Sequence, residues 1–111
     1  MKRPERLRIF GKRVTVRWVE KVTADDGEEV MGLADHDNQD IQIKEGMPLE
    51  TEQEKVLHET MHMIECAMEM DLEEEVISRF ATGLLAVLKD NPGLVSYLRQ
   101  RGRAEPSDGV A

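Results

Sequence analysis

The nine residues Val56-Leu57-His58-Glu59-Thr60-Met61-His62-Met63-Ile64 constrain this chain more than any other stretch. They hold a His-Glu-x-x-His pattern within a segment that reads as helix, and a helix stacks residues four apart on one face. His58 and His62 can therefore turn both imidazoles on one metal ion. Zinc in a hydrolytic site takes about three protein ligands, leaves a position for water, and lowers the pKa of that water from ~15.7 to roughly 7. Glu59, next to His58, is placed to take the proton of that water and pass it to a leaving amine. The pattern thus predicts metal ligands at His58 and His62 and a general base at Glu59. The plain alternative is a pair of histidines on a partly exposed helix face.

Upstream, Leu7-Arg8-Ile9-Phe10 and Val14-Thr15-Val16-Arg17-Trp18-Val19 alternate apolar with polar residues, the period-two signature of half-buried strands. With Gly11-Lys12-Arg13 as the turn they form a hairpin, and Val14, Val16 and Trp18 share one face. Trp18 reads as a core anchor. Asp25-Asp26-Gly27-Glu28-Glu29 reads as a solvated turn, and Val30-Met31-Gly32-Leu33 starts a third strand. The polar run Asp35 to Asp40 is a second turn, without the spacing of a calcium loop, and leads into the strand-like Ile41-Gln42-Ile43.

Thr51-Glu52-Gln53-Glu54 matches a capping box, so the metal helix is expected over 52–70, with Leu57, Met61, Ile64 and Met68 as its core stripe. Asp71 reads as the N-cap of a second helix over 72–90, ended by Asn91-Pro92, with Ile77, Phe80, Ala81, Leu84, Leu85 and Leu88 as the stripe that packs on the first. A short helix over 93–101 follows, and 102–111 reads as a disordered tail. The expected fold class is α+β: an antiparallel sheet of three to four strands within 7–43, packed on the His-Glu-x-x-His helix, then a long and a short helix, all in one domain over 1–101.

The His58-Glu59-x-x-His62 helix, preceded by Gly32-Leu33-Ala34-Asp35-His36-Asp37-Asn38-Gln39-Asp40-Ile41-Gln42-Ile43, resembles the small zincin metallopeptidases of the gluzincin type. Among these it is most similar to compact phage- and prophage-encoded members, and more distantly to ImmA/IrrE-like and SprT-like domains. The likeness runs from about Gly32 to Pro92 and is specific only at the two helices. It implies a short sheet packed on the metal helix, one Zn2+ per chain, an acidic third ligand on the following helix, and a peptide or protein substrate. It also implies that the strand beside His36 lines the substrate cleft, which makes His36 a candidate for an outer contact to the site.

The third ligand is the open position. Projected on the second helix, Glu74 continues the stripe of Ile77, Ala81, Leu84 and Leu88, while Glu75 groups with Ser78, Arg79 and Thr82 on the solvent side. In ImmA/IrrE-like domains the ligand Glu stands six residues before an aromatic-Ala pair, here Phe80-Ala81. Glu74 is therefore the expected ligand, although as N3 after Asp71 it would also complete a capping box. Glu73 or Glu75 inherits the role if the helix starts one residue away. On the metal helix itself Glu65, Cys66 and Glu69 follow His62, but a ligand from the same straight helix strains to close a tetrahedron. Cys66 reads as a small buried hydrophobe. Tyr97 could donate to an oxyanion, though packing is the simpler role.

Composition narrows the classes. No apolar run approaches the ~18 residues of a membrane span, and Met1-Lys2-Arg3-Pro4-Glu5-Arg6 is not followed by a signal-like apolar stretch. With Cys66 as the single cysteine, a cytoplasmic setting is expected. The net charge of −8 is segregated, with eight Lys or Arg against two Glu in residues 1–21 and two Lys against eighteen acids in 22–75. The acidic middle argues against nucleic acid as the main ligand, and basic strand faces also discourage edge pairing. The expected function is zinc-dependent peptide-bond hydrolysis. One alternative is a non-proteolytic zinc-binding phage or prophage accessory protein with a structural or partner-binding role. Another is a carboxylate di-metal bundle, which needs a second Glu-x-x-His element that this chain lacks.

Overall fold

A computed structural model describes residues 2–102. Its first element pair follows the alternation: β1 (Arg6–Ile9) and β2 (Lys12–Val19) pair antiparallel. Phe10 and Gly11 make the turn, both at positive φ (50° and 78°), the geometry whose twist suits a two-residue hairpin. Residues 25–29 are not merely a loop. They are the tip of a small separate hairpin, β3 (Val22–Thr23) against β4 (Glu29–Val30), and its Val22 is fully buried. β5 (Gly32–Asp35) and β6 (Asp40–Lys44) form the third hairpin. At its turn the Asp35 carboxylate accepts from the Asn38 backbone and side chain, at 3.1 and 2.7 Å.

The four main strands lie in the order β1-β2-β6-β5. An antiparallel sheet was expected, and one pairing corrects it: β2 and β6 run parallel, from Thr15 opposite Asp40 to Val19 opposite Lys44. Alternation fixes which face a strand buries but is the same for either direction, so the sense of this non-local pairing is set by how the two local hairpins dock. Arg17 pins it with a two-pronged bond to Asp40, both contacts 2.8 Å, which raises the Arg17 pKa.

One sheet face carries the core. Val14, Val16, Ile41 and Ile43 of the two central strands meet Met63 of helix α1 (Leu49–Ala67), and Trp18, Ala34, Met47 and Val56 pack around them. Trp18 anchors the N-terminal segment, as its indole N–H donates to the Pro4 carbonyl at 2.9 Å and Arg3 stacks on its ring. Arg3 also reaches the buried Glu52 at 3.1 Å.

α1 starts three residues earlier than expected and without a capping box: Pro48 is the N-cap, no side chain caps the helix, and Thr51 lies inside its first turn. Pro48 is extended (ψ 148°), and its carbonyl accepts from the Glu52 N–H at 2.9 Å, which starts the helix ahead of Thr51. The sheet-facing side of α1 is Glu52, Val56, Glu59 and Met63, not the expected stripe; Leu57, Met61 and Ile64 are half-buried and Met68 is exposed. Cys66, expected inside, is exposed. The helix ends in a Schellman motif with Glu69 in the left-handed region (φ 55°): the Met70 N–H bonds Glu65 O at 2.8 Å and the Glu69 N–H bonds Cys66 O at 3.2 Å.

Helix α2 (Glu74–Asp90) then packs back on α1, and the N-cap is Glu73, not Asp71. The Schellman turn consumes the residues to Met70, so Asp71 falls in the connection. Ile77 and Ala81 are fully buried, while Phe80 and Leu84, expected in the same stripe, are exposed. Helix α3 (Pro92–Arg99) has Pro92 at its first position, as proline's lack of a donor permits. The tail expected over 102–111 lies, apart from Gly102, outside the described residues. Among the described residues no helix is long and apolar enough to cross a membrane.

Glu69 bears a strained backbone that glycine would adopt freely. Glu69→Gly should stabilise the protein by about 0.5–1 kcal/mol and raise the Tm by a few degrees. An unchanged or lower melting temperature in calorimetry would show that the turn is held by something other than φ.

Candidate metal centre

Two consecutive turns of α1 and the first residue of α2 supply the centre. His58 is buried and His62 half-buried on one face of α1, with ring centroids 4.9 Å apart. Glu74, at the start of α2, lays its carboxylate across both: Oε1 is 2.5 Å from His58 Nε2 and Oε2 is 2.9 Å from His62 Nε2. The three offered ligand atoms all lie within 4.8 Å of one another. Of the candidate acids, Glu74 is thus the one that joins the histidines. As the first helical residue it has no capping-box role. Glu73 is the N-cap, and Glu75 pairs with Arg79 at 2.6 Å, away from the centre.

The far nitrogens of both imidazoles face oxygen atoms. His58 Nδ1 lies 3.5 Å from Ser78 Oγ, and His62 Nδ1 lies 3.4 Å from Glu65 Oε2. That Glu65 oxygen is buried and lacks an aligned hydrogen bond. A proton on His62 Nδ1 would face that oxygen at 3.4 Å and leave the Nε2 lone pair facing the Glu74 carboxylate. Two lone pairs at 2.9 Å require a cation between them, a proton or a metal ion. Ligand histidines commonly give their outer N–H to such a carboxylate. Moreover, no lysine or arginine among the described residues is ion-paired with Glu59, Glu65 or Glu74. Two imidazoles and one carboxylate are a fitting set for zinc, for which tetrahedral bonds of ~2.0–2.1 Å separate ligand atoms by about 3.3 Å. To reach that, the 2.5 Å contact opens by about 0.8 Å and the 2.9 Å contact by about 0.4 Å.

Glu59 points differently from its neighbours. It is buried against strand β5, with Oε2 4.0 Å from His58 Nε2. A Cβ built on Gly32 would come within 3.0 Å of Glu59 Cγ and Oε2. Gly32 is therefore required by close approach rather than by backbone angle. Burial raises the Glu59 pKa to about 7; Glu74 adds to the rise and His62 opposes it.

Glu59, His62, Glu65 and Glu74 line one side of a cleft of about 870 Å³, whose other wall is β5 with the turn to Asn38. His36 and Cys66 line it too, and neither belongs to the ligand group. A smaller apolar recess of about 270 Å³ shares His36 and Met63 with the cleft. Tyr97 is exposed on α3 and is not part of the lining. The sequence reading set Ser78 on the solvent side with Glu75, whereas it is half-buried beside His58, and it gave Gly32 no role in the site. Ser78 follows Glu74 by one helical turn and so shares its face, which was a usable signal. Gly32 gave only the weak hint of a glycine inside a strand.

Compared with known protein families, curated proteins and solved structures, the chain finds no match in any of the three. The centre is therefore read from its own geometry.

Two outcomes test it. A buried carboxyl with a folded pKa near 7 and an unfolded value near 4.5 makes the folded state hold the extra proton between those limits. Stability of the metal-free protein then falls as pH rises through that window. Glu59→Gln should remove this slope and be more stable than wild type at pH 8 by on the order of 3 kcal/mol; parallel curves from chelator-treated samples would refute the burial. Gly32→Ala should destabilise by about 1–3 kcal/mol, and the same substitution should cost less when made in a Glu59→Ala background. Additive losses in denaturant titrations would mean that the two side chains do not compete for space.

Proposed function

We propose that this protein is a zinc-dependent, zincin-like metallopeptidase. The observation that carries the reading is the convergence of His58, His62 and Glu74 within 4.8 Å, with the buried Glu59 one residue along the same helix and beside an open strand edge. His58, His62 and Glu74 would hold the ion, with Glu65 and Ser78 fixing the two imidazoles from behind. Bound there, zinc supplies a Lewis acid that polarises the scissile carbonyl and makes water nucleophilic at neutral pH.

The remaining work belongs to the chain. Glu59 accepts the proton of the attacking water and returns it to the departing amine, work suited to a carboxyl buried beside the centre. β5 is an outer strand of its sheet. The Met31 carbonyl bonds to the Lys44 N–H at 3.0 Å, so by the alternation of an antiparallel ladder Leu33 also faces β6, and the backbone groups of Gly32 and Ala34 face the free edge. An extended peptide can pair there as an added strand, which sets its carbonyls along the cleft. The apolar recess beside it suits an apolar side chain. Glu74, 65% exposed at its side chain, leaves the centre open to such a peptide.

Metal content per chain, measured on protein purified without chelator, is the first test. Wild type should carry about one zinc and Glu74→Ala clearly less. Against unfolded casein and a peptide library, Glu59→Gln should keep zinc and lose about 100-fold or more of the hydrolysis, and His62→Ala should lose both. Zinc-loaded wild type that leaves every peptide intact would sink the peptidase reading while leaving the metal centre. No zinc after reconstitution would remove both.

A further inference from the structure

We propose that the outer face of α2 and α3 is an interface between two copies of this chain. α2 is apolar over a wide arc. Ile77 and Ala81 are fully buried at one edge of it, whereas Val76, Phe80, Leu84 and Val87 stand on the adjoining face, 37%, 63%, 41% and 47% exposed. Leu94, Tyr97 and Leu98 of α3, which follows α2 directly, are 38%, 67% and 63% exposed. An apolar arc wider than one neighbour can bury calls for further cover. At ordinary side-chain areas these seven residues expose on the order of 600 Å² in all, against the ~800 Å² that each partner brings to a standard interface.

A second copy fits this face better than other occupants. The nine residues after Gly102 are polar apart from small side chains and Val110, too little to cover it. A lipid surface favours a basic border, whereas this stripe is bordered by the Glu75–Arg79 pair and by Lys89 and Asp90, on a chain of net charge −8. Gly83 sits within the stripe, in the middle of a helix that glycine weakens, and a Cβ built there meets nothing within 4 Å. Its lack of a side chain therefore serves no contact within the single chain. If two α2 helices run antiparallel about a twofold axis between Gly83 and Leu84, each Leu84 lies over the other copy's Gly83 and each Phe80 lies against a Val87. Large side chains then oppose small ones on one self-complementary patch.

Sedimentation equilibrium of the full chain from roughly 1 to 200 µM tests this without reference to the metal centre. Wild type should reach about twice 12.7 kDa. Phe80→Glu should stay monomeric, and Gly83→Gln should weaken dimerisation about tenfold or more. Because position 83 is open in the single chain and glutamine is the better helix former, monomeric Gly83→Gln should keep wild-type circular dichroism and melt no lower than monomeric wild type. A wild type that stays monomeric throughout overturns the proposal. So does a dimer indifferent to both substitutions, or a monomer that instead binds phosphatidylcholine vesicles.

Discussion

Two imidazoles and three carboxylates, those of Glu59, Glu65 and Glu74, meet at one place on the α1–α2 hairpin, and no lysine or arginine among the described residues is ion-paired with these acids. Burying ionisable groups is costly unless each finds a partner, and here the contacts come from within the set, with one buried Glu65 oxygen still lacking an aligned hydrogen bond. Glu74 spans both Nε2 atoms, Glu65 and Ser78 back the two Nδ1 atoms, and Glu59 relieves its burial by holding its proton to about pH 7. Such an arrangement is satisfied by protons or by one added cation, so a metal ion relieves the same excess of lone pairs that the protons do.

The rest of the fold is arranged to hold that meeting point. Met63 fixes the rotation of α1 by entering the sheet core, which turns Glu59 toward β5 on the same side and leaves His58 and His62 facing α2. The Schellman turn at Glu69 sets where α2 can begin, and thereby places Glu74 on its first turn rather than in a cap. A helix that began at 72, as the sequence suggests, would have left Glu74 competing for backbone donors.

What was legible in the sequence was whatever a short period encodes. The strands over 7–19 and 41–43, the apolar faces of Val14, Val16, Ile41 and Ile43, and the pairing of His58 with His62 all rest on spacings of two or four residues. Glu74 was reachable because it shares a helix face with buried Ile77 and Ala81. Helix ends were read less well. Thr51 and Asp71 have the chemistry of N-caps, yet Pro48 and the turn at Glu69–Met70 decide the starts of α1 and α2. Caps contribute about a kilocalorie per mole, and burial of Met63 and Ile77 outweighs that.

The sequence by itself determined the α+β class, the hairpin over 7–19, the face of α1 that carries His58 and His62, and the amphipathic character of the helices behind it, because each depends on neighbours within a few positions. Tertiary structure alone decided the parallel pairing of β2 with β6, the absence of a side chain at Gly32 as room for Glu59, and the reach of Ser78 and Glu65 to the backs of the imidazoles. It also decided which part of the apolar arc on α2 is buried, leaving Phe80 outside. These are contacts between residues far apart in the chain, where no repeat in the sequence specifies which partner, direction or rotation is chosen. Packing volume and the pairing of buried charge make that choice.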